Sequence, residues 1–156
     1  MNDLRSAAGC RHRQHGVKRI GVTRFAQLAR NLWIAQQTRH AGERAIFEIL
    51  LQREKLGSTA VGNGVAIPHG KLPKLGRLFG LFARLERPID FEALDGQPVD
   101  LVFLLLAPEA AGADHLKALA RVARLLRDPD VANKLRDAHA AEAIYAVLAL
   151  PSPVHG

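Results

Sequence analysis

The stretch of sequence that most suggests chemistry is GNGVAIPHGK, residues 62–71, in which His69 lies between a proline and a glycine. Pro68 fixes the backbone before the histidine and removes an N–H donor, and Gly70 allows other groups to approach closely. An imidazole with a pKa near ~6.5 is partly neutral at cellular pH, so it can act as a nucleophile without a separate base. The spacing alone leaves open a structural histidine that hydrogen-bonds a loop.

Two further residues could bind an anion beside this histidine. His115 follows Asp114, which the pattern predicts as the cap of a helix, and the free N–H groups of a helix N-terminus favour an anion. Arg53, near the predicted end of an earlier helix, could contact a phosphate with its guanidinium fork. The alternatives are a solvated histidine in a first helical turn and an ordinary surface charge beside Glu54.

Other kinds of catalytic or binding site find less support. The pair Gly70-Lys71 resembles the end of a Walker A loop, but Val65 and Leu72 stand where that motif needs Gly and Ser or Thr. No serine lies in a Gly-x-Ser-x-Gly elbow. Residues 43–156 contain no His-x-x-x-His pair, so we predict no metal site, and nothing calls for a cofactor.

The elements that must position these residues alternate between helices and strands. Apolar spacing predicts helices from Thr23, as the cap, through Arg39, over 43–56, over 115–127 (with Leu116 and Leu119 on its apolar face) and over 140–150. Asp128-Pro129 predicts the cap and first residue of a further helix, in which Val131 and Leu135 pack inward. Strands are predicted over 61–67, where Gly62-Asn63-Gly64 indicate a bulge, a turn or a bent strand, and over 78–85 and 99–106, with a loop over 88–96. Residues 99–106 are apolar on both faces, as in a sheet covered on both sides. The order predicts a three-layer α/β fold in which residues 61–67 lead His69 into a loop.

Composition and charge limit the possible partners. The 156 residues carry a net charge of +7, and residues 1–42 hold eight Lys/Arg and one acid, which is 8 − 1 = +7, so the remainder is neutral. This basic segment carries no known nucleic-acid-binding signature, so we predict no specific nucleic-acid binding. A single cysteine, no signal peptide and no long apolar run predict a cytoplasmic protein without membrane insertion.

A longer stretch identifies a family resemblance. Residues 48–72, EILLQREKLGSTAVGNGVAIPHGKL, resemble the active-site region of the mannitol/fructose-type IIA domains of the phosphoenolpyruvate-dependent phosphotransferase system. The resemblance continues through residues 85–108 and 114–126 into the final helix. Asn63 stands where mannitol members tend to carry Glu, and this favours the nitrogen-regulatory branch. The family's fold implies a mixed five-stranded sheet flanked by helices.

The resemblance also implies roles for the three candidate residues. His69 would be phosphorylated at Nε2 by an HPr-like phosphohistidine protein, His115 would support the phosphoryl group, and Arg53 would stabilise its charge. Leu72, Leu75 and Phe79 are candidates for the rim that receives the donor, although they could equally be core. Regulated partners such as sensor kinases or potassium transporters are implied.

Two alternatives and one departure from the family complete the prediction. The chain could instead pass phosphate to a fructose/mannitol-type sugar permease, or it could be a binding protein with a basic arm that works without phosphorylation. Residues 1–42 do not resemble the family's opening, so we interpret them as a divergent or misassigned basic segment with one helix. Residues 43–150 would form the IIA core, and residues 151–156 a tail.

Overall fold

The computed structural model describes residues 43–149, which form four α-helices, five strands and one short 3₁₀ turn. The helices are α1 (Glu43–Lys55), α2 (Gly112–Arg127), α3 (Pro129–Asp137) and α4 (Ala141–Ala149). The strands are β1 (Ala60–Gly62), β2 (Val65–Ala66), β3 (His69–Leu72), β4 (Phe79–Ile89) and β5 (Val99–Pro108), and the 3₁₀ turn is Glu109–Ala111. The predicted helix over 23–39 and the predicted tail lie outside the described residues.

The five strands form one mixed sheet with β5 at its centre. Strands β2 and β3 pair in parallel with successive parts of β5, with Val65 opposite Leu101 and His69 opposite Leu105. Strand β4 runs antiparallel along the other side of β5, and β1 pairs antiparallel with β2. The predicted mixed five-stranded sheet is therefore confirmed.

Helices cover both faces of the sheet, because β5 is apolar on both faces. One core contains Ile46 and Leu50 of α1 together with residues such as Val102 of β5. The other core joins Leu101 of the same strand to helices α2 and α3, for example through Leu126. Alternate residues of β5 thus serve opposite cores, and the three-layer prediction is confirmed.

Of the bulge, turn or bend predicted within residues 61–67, the structure has a turn, and the segment is a hairpin. Its two short strands reverse direction at Asn63 and Gly64, which both adopt positive φ, 54° and 74° respectively. Asn and Gly are the residues that occupy this left-handed region at least cost. Strand β4 extends to Ile89, beyond the predicted limit at residue 85, and its Pro88 lies on a strand that has a sheet partner on one side only among residues 43–149.

Helix α2 corrects two expectations. It begins at Gly112 rather than His115, and Asp114 is not its cap but pairs with Lys117 at 3.8 Å on the surface. The chain enters α2 directly from the 3₁₀ turn, so no side-chain cap is used. Its inward face includes buried His115, whereas the neighbouring Leu116 is 65% exposed, contrary to its predicted place on the apolar face.

Helices α3 and α4 lie where the sequence predicts them. Asp128 caps α3 by accepting hydrogen bonds from the backbone N–H groups of Asp130 and Val131, and Pro129 occupies the first position. Val131 and Leu135 are buried as predicted. Within residues 43–149, no helix is both long and apolar enough to cross a membrane.

Candidate functional site

His69 is the first residue of strand β3. This corrects the expectation that it lies in a loop: its Cα is paired with Leu105 in the sheet, and the carbonyl of Pro68 accepts a hydrogen bond from the N–H of Leu105 at 3.0 Å. The side chain is half-buried. The histidine therefore has a backbone fixed by the central strand while its ring remains accessible.

The two ring nitrogens of His69 have partners of opposite kind. Nδ1 lies 2.8 Å from the carbonyl oxygen of Ile67, which can only accept a hydrogen bond. Nε2 lies 3.1 Å from Nε of Arg53, which can only donate one. Nδ1 must therefore carry the proton and Nε2 the lone pair. This is the tautomer that makes Nε2 the nucleophilic atom.

Arg53 lies in the last turn of α1, and two nitrogens of its guanidinium group, Nε and Nη1, donate hydrogen bonds. Besides the contact of Nε with His69, Nη1 donates a hydrogen bond to the carbonyl of Gly57 at 3.0 Å. The side chain is half-buried rather than an ordinary surface charge. An arginine has five N–H donors, so this one retains donors for an anion bound at Nε2.

His115 lies beside His69 at the start of α2. The two ring centroids are 5.8 Å apart, and the ring planes are inclined at 46°. His115 is only 6% exposed, which differs from a solvated first-turn residue, and its Nδ1 is buried without a hydrogen-bond partner among residues 43–149. A buried polar nitrogen without a partner is costly, so the burial of this ring beside His69 marks it as a candidate functional group.

Both imidazoles are biased toward their neutral forms. Burial lowers the pKa of His69, and the charge of Arg53 lowers it further, although the Ile67 carbonyl and the charge of Glu54 act in the opposite direction. Burial also lowers the pKa of His115, with a contribution from the charge of Lys71. A neutral ring at pH 7 keeps its nitrogen lone pair available.

The structure adds three residues that sequence reasoning did not select. Lys71 lies two residues after His69 on β3, so their side chains leave the same face of the strand. Glu54 is 3% exposed, and Thr59 donates hydrogen bonds to its carboxylate. Period-two spacing on a strand could have indicated Lys71, but burial of Glu54 depends on tertiary packing that no local pattern reports.

The predicted rim is only partly at the surface. Leu72 is completely buried, because β3 turns alternate side chains toward α1, and it belongs to the core. Leu75 and Phe79 are partly buried against that core. The exposed apolar residues nearest in sequence to the site are instead Leu56, 86% exposed after α1, and Leu116 beside His115.

The side chains that meet at this site carry nitrogen groups. No group of three or more His, Cys, Asp or Glu side chains within the described range could hold a metal ion. An unprotonated imidazole nitrogen, an arginine fork, a lysine and a second imidazole form a cationic site that can receive a tetrahedral oxyanion.

A family model, two relatives and a solved structure are similar to this chain. The family model described as "Phosphoenolpyruvate-dependent sugar phosphotransferase system, EIIA 2" matches residues 25–150. A "Nitrogen regulatory protein" of Bradyrhizobium diazoefficiens is 81% identical over 109 residues, 70% of this chain and 71% of its own length. One of the same name from Pseudomonas aeruginosa is 46% identical over 115 residues, 74% and 75% of the two chains. The crystal structure of nitrogen regulatory protein IIA-Ntr from Neisseria meningitidis superposes with a TM-score of 0.67 at 41% identity, covering 69% of this chain and 73% of that one.

Proposed function

This chain belongs to the EIIA type 2 family of the phosphoenolpyruvate-dependent sugar phosphotransferase system, and from that premise we propose that it is a nitrogen-regulatory phosphocarrier. Membership makes it a phosphotransferase component. It accepts a phosphoryl group on Nε2 of His69 from the phosphohistidine of an HPr-like carrier. Its phosphorylation state then regulates partner proteins, for which sensor kinases and potassium transporters are candidates.

The observation that carries this proposal is the pair of hydrogen bonds to the His69 ring. Because Ile67 requires the proton on Nδ1, the lone pair is on Nε2, and burial favours the neutral ring. The bond from Nε2 to phosphorus forms as the bond from phosphorus to the donor's ring nitrogen breaks, and the donor ring keeps that electron pair. No proton has to move, since Nδ1–H stays in place and the new positive charge on the ring faces the Ile67 carbonyl.

The neighbouring groups stabilise charge during transfer. The Nε–H of Arg53 already points at Nε2, so a small movement brings it to an oxygen of the incoming group. His115, whose ring lies 5.8 Å from that of His69, can bind another oxygen, and Lys71 adds positive charge nearby. Positioning and charge stabilisation of this kind supply most of the catalysis in phosphoryl transfer.

A reconstituted transfer reaction tests the proposal. The full chain is incubated with phosphoenolpyruvate, the first enzyme of the system and an HPr-type carrier, and an acid-labile adduct is measured by intact mass. We expect one phosphoryl group on the wild type, none on His69→Ala, and one on the matched control His139→Ala, whose histidine is exposed between α3 and α4. An unmodified wild type would contradict the phosphocarrier function, and an adduct on His69→Ala would contradict the site.

The role of His115 has its own readout. His115→Ala is expected to accept the phosphoryl group more slowly while forming an adduct that is shorter-lived or slower to pass on. An unchanged time course would contradict a supporting role. The names of the two relatives favour the regulatory function over the sugar-permease alternative. Rapid transfer from the phosphorylated chain to a fructose-type permease component would reverse that preference.

A further inference from the structure

Glu54 is a buried carboxylate for which the described residues offer no cationic partner. It is 3% exposed and forms no ion pair with any of residues 43–149. Its oxygens accept hydrogen bonds from the backbone N–H of Thr59 at 3.0 and 3.3 Å and from Thr59 Oγ1 at 2.6 Å. Since burying an unpaired charge is expensive, a carboxylate retained here needs a reason beyond filling space.

The contacts of Thr59 lead directly to the His69 ring. The carbonyl of Thr59 accepts a hydrogen bond from the N–H of Ile67 at 2.9 Å. The carbonyl of Ile67 in turn accepts from Nδ1 of His69 at 2.8 Å. Glu54 therefore holds Thr59, and Thr59 holds Ile67 through its backbone carbonyl. The carbonyl of Ile67 then determines which nitrogen of the His69 ring carries the proton.

The same carboxylate also lies next to the group that contacts the other ring nitrogen. Arg53 precedes Glu54 in the last turn of α1, and Nη1 of Arg53 donates to Gly57 in the loop that Glu54 closes onto Thr59. A change at Glu54 thus disturbs the supports of Nδ1 and Nε2 together. Leu56 and Gly57 also close this loop through backbone hydrogen bonds to Arg53 and Glu54.

We propose that Glu54, acting through Thr59, is a positioning residue that holds the ring of His69 in its Nδ1–H tautomer and keeps Arg53 at Nε2. This inference rests on the proposed function, in which Nε2 is the atom that receives phosphorus. Neither Glu54 nor Thr59 has to touch the phosphoryl group. Their contribution is the ring orientation that transfer requires, and it exists before any donor binds.

Histidine ¹⁵N NMR of the full unphosphorylated chain tests the inference independently of activity. The shifts of the two His69 nitrogens report the tautomer, and they are read from folded-state signals, so lower stability does not imitate the effect. We expect the wild type to be mainly Nδ1–H. Glu54→Gln and the shape-conserving Thr59→Val should raise the share of the other tautomer, whereas Thr59→Ser, which keeps the hydroxyl, should resemble the wild type.

Phosphoryl acceptance is measured on the same variants. Misplacement of a reacting group is costly, so we expect the rate to fall about 10-fold in Glu54→Gln and Thr59→Val and to stay near wild type in Thr59→Ser. Glu48→Gln is the matched control, because Glu48 lies on the exposed side of the same helix and pairs with Arg44. It should change neither the tautomer nor the rate.

The outcomes separate this inference from the proposed function. If the wild type accepts phosphate on His69 while Glu54→Gln and Thr59→Val keep the wild-type tautomer or the wild-type rate, the positioning role is wrong and the phosphocarrier function stands. If the wild type accepts no phosphate, the proposed function fails. The NMR comparison still decides then whether Glu54 orients His69.

Discussion

The direction of each hydrogen bond on His69 decides which nitrogen can react. Arg53 contributes both a donor at Nε2 and a positive charge that lowers the pKa of the ring. These contributions separate by substitution: Arg53→Lys keeps the charge and loses the planar fork, whereas Arg53→Gln loses the charge.

We therefore expect the rate of phosphoryl acceptance to fall about 100-fold in both Arg53 variants. This is the size of effect produced by removing one donor that stabilises charge in a transition state. Only Arg53→Gln should raise the pKa of His69, measured by NMR titration, because it alone removes the repelling charge. Arg44→Lys, an exposed arginine on the same helix, is the control. Equal rates in wild type and Arg53→Lys would show that the fork is unnecessary.

The lowered pKa values of His69 and His115 predict how stability depends on pH. Both groups lie below the ordinary value of 6.5 in the folded chain, so the unfolded chain binds more protons as pH falls through 6.5. The free energy of unfolding should therefore decrease from about pH 6.5 downward, until the native pKa values are reached. Urea unfolding at a series of pH values measures this slope. The double variant His69→Gln/His115→Gln should have a flatter profile in that window, and an unchanged profile would contradict the burial of these rings.

At the scale of single residues, the sequence predicts which side chains could react better than it predicts their burial and their neighbours. His69, Arg53 and His115 could be selected by residue type and motif, and the structure brings the three together. Residue type and motif do not indicate Lys71 and Glu54, because the proximity of Lys71 to His115 and the burial of Glu54 arise only in the fold. The tautomer of His69 likewise depends on Ile67, whose own N–H donates to the carbonyl of Thr59 in the fold.

At the scale of elements, the site depends on how closely α1 packs on β3. A Cβ placed on Gly70 would overlap Cγ2 of Ile49, so a glycine is required for α1 to carry Arg53 to His69. We expect Gly70→Ala to lower the free energy of unfolding by about 1–3 kcal/mol, as for an overpacked core, and to slow phosphoryl acceptance.

A second-site change tests that explanation. Ile49→Ala makes room for the added methyl group, so Gly70→Ala/Ile49→Ala should be more stable than the sum of the two single effects predicts, as measured in urea by a double-mutant cycle. Additive effects would mean that the contact with Ile49 is not the cause.

Elements with strong local signals could be predicted, and elements set by packing could not. Strand β5 was evident because it is apolar on both faces, and the start of α3 because Asp128 and Pro129 form a capping signal. Helix α2 was predicted with the wrong start because its N-terminus continues a 3₁₀ turn rather than a capping residue. Its inward face includes a histidine, so an apolar pattern placed Leu116 inward instead.

At the scale of the molecule, the two cores formed by residues 43–149 share one strand. The core under α1 and the core under α2, α3 and α4 meet at β5, where Val99, Leu101, Val102, Leu104 and Leu106 are all fully buried. His69 and its support from α1 pair with this same strand through β3. A strand buried on both faces is thereby placed directly beside the proposed nucleophile.

Helix α4 is much less buried than β5, and this difference predicts which part of the fold unfolds locally. Helix α4 has no buried residue, whereas β5 is covered on both faces. Regions with few buried contacts open locally, and central strands open only with the whole fold.

We expect hydrogen exchange, measured by NMR on the full chain, to give the amides of Val102 and Leu104 an opening free energy equal to that of global unfolding in urea. The amides of α4 should exchange at least about 100-fold faster, which corresponds to a local opening free energy lower by about 2.7 kcal/mol. If α4 were protected as strongly as β5, the two cores and their covering helices would unfold as one unit, and the site would owe its rigidity to the whole molecule rather than to the central strand.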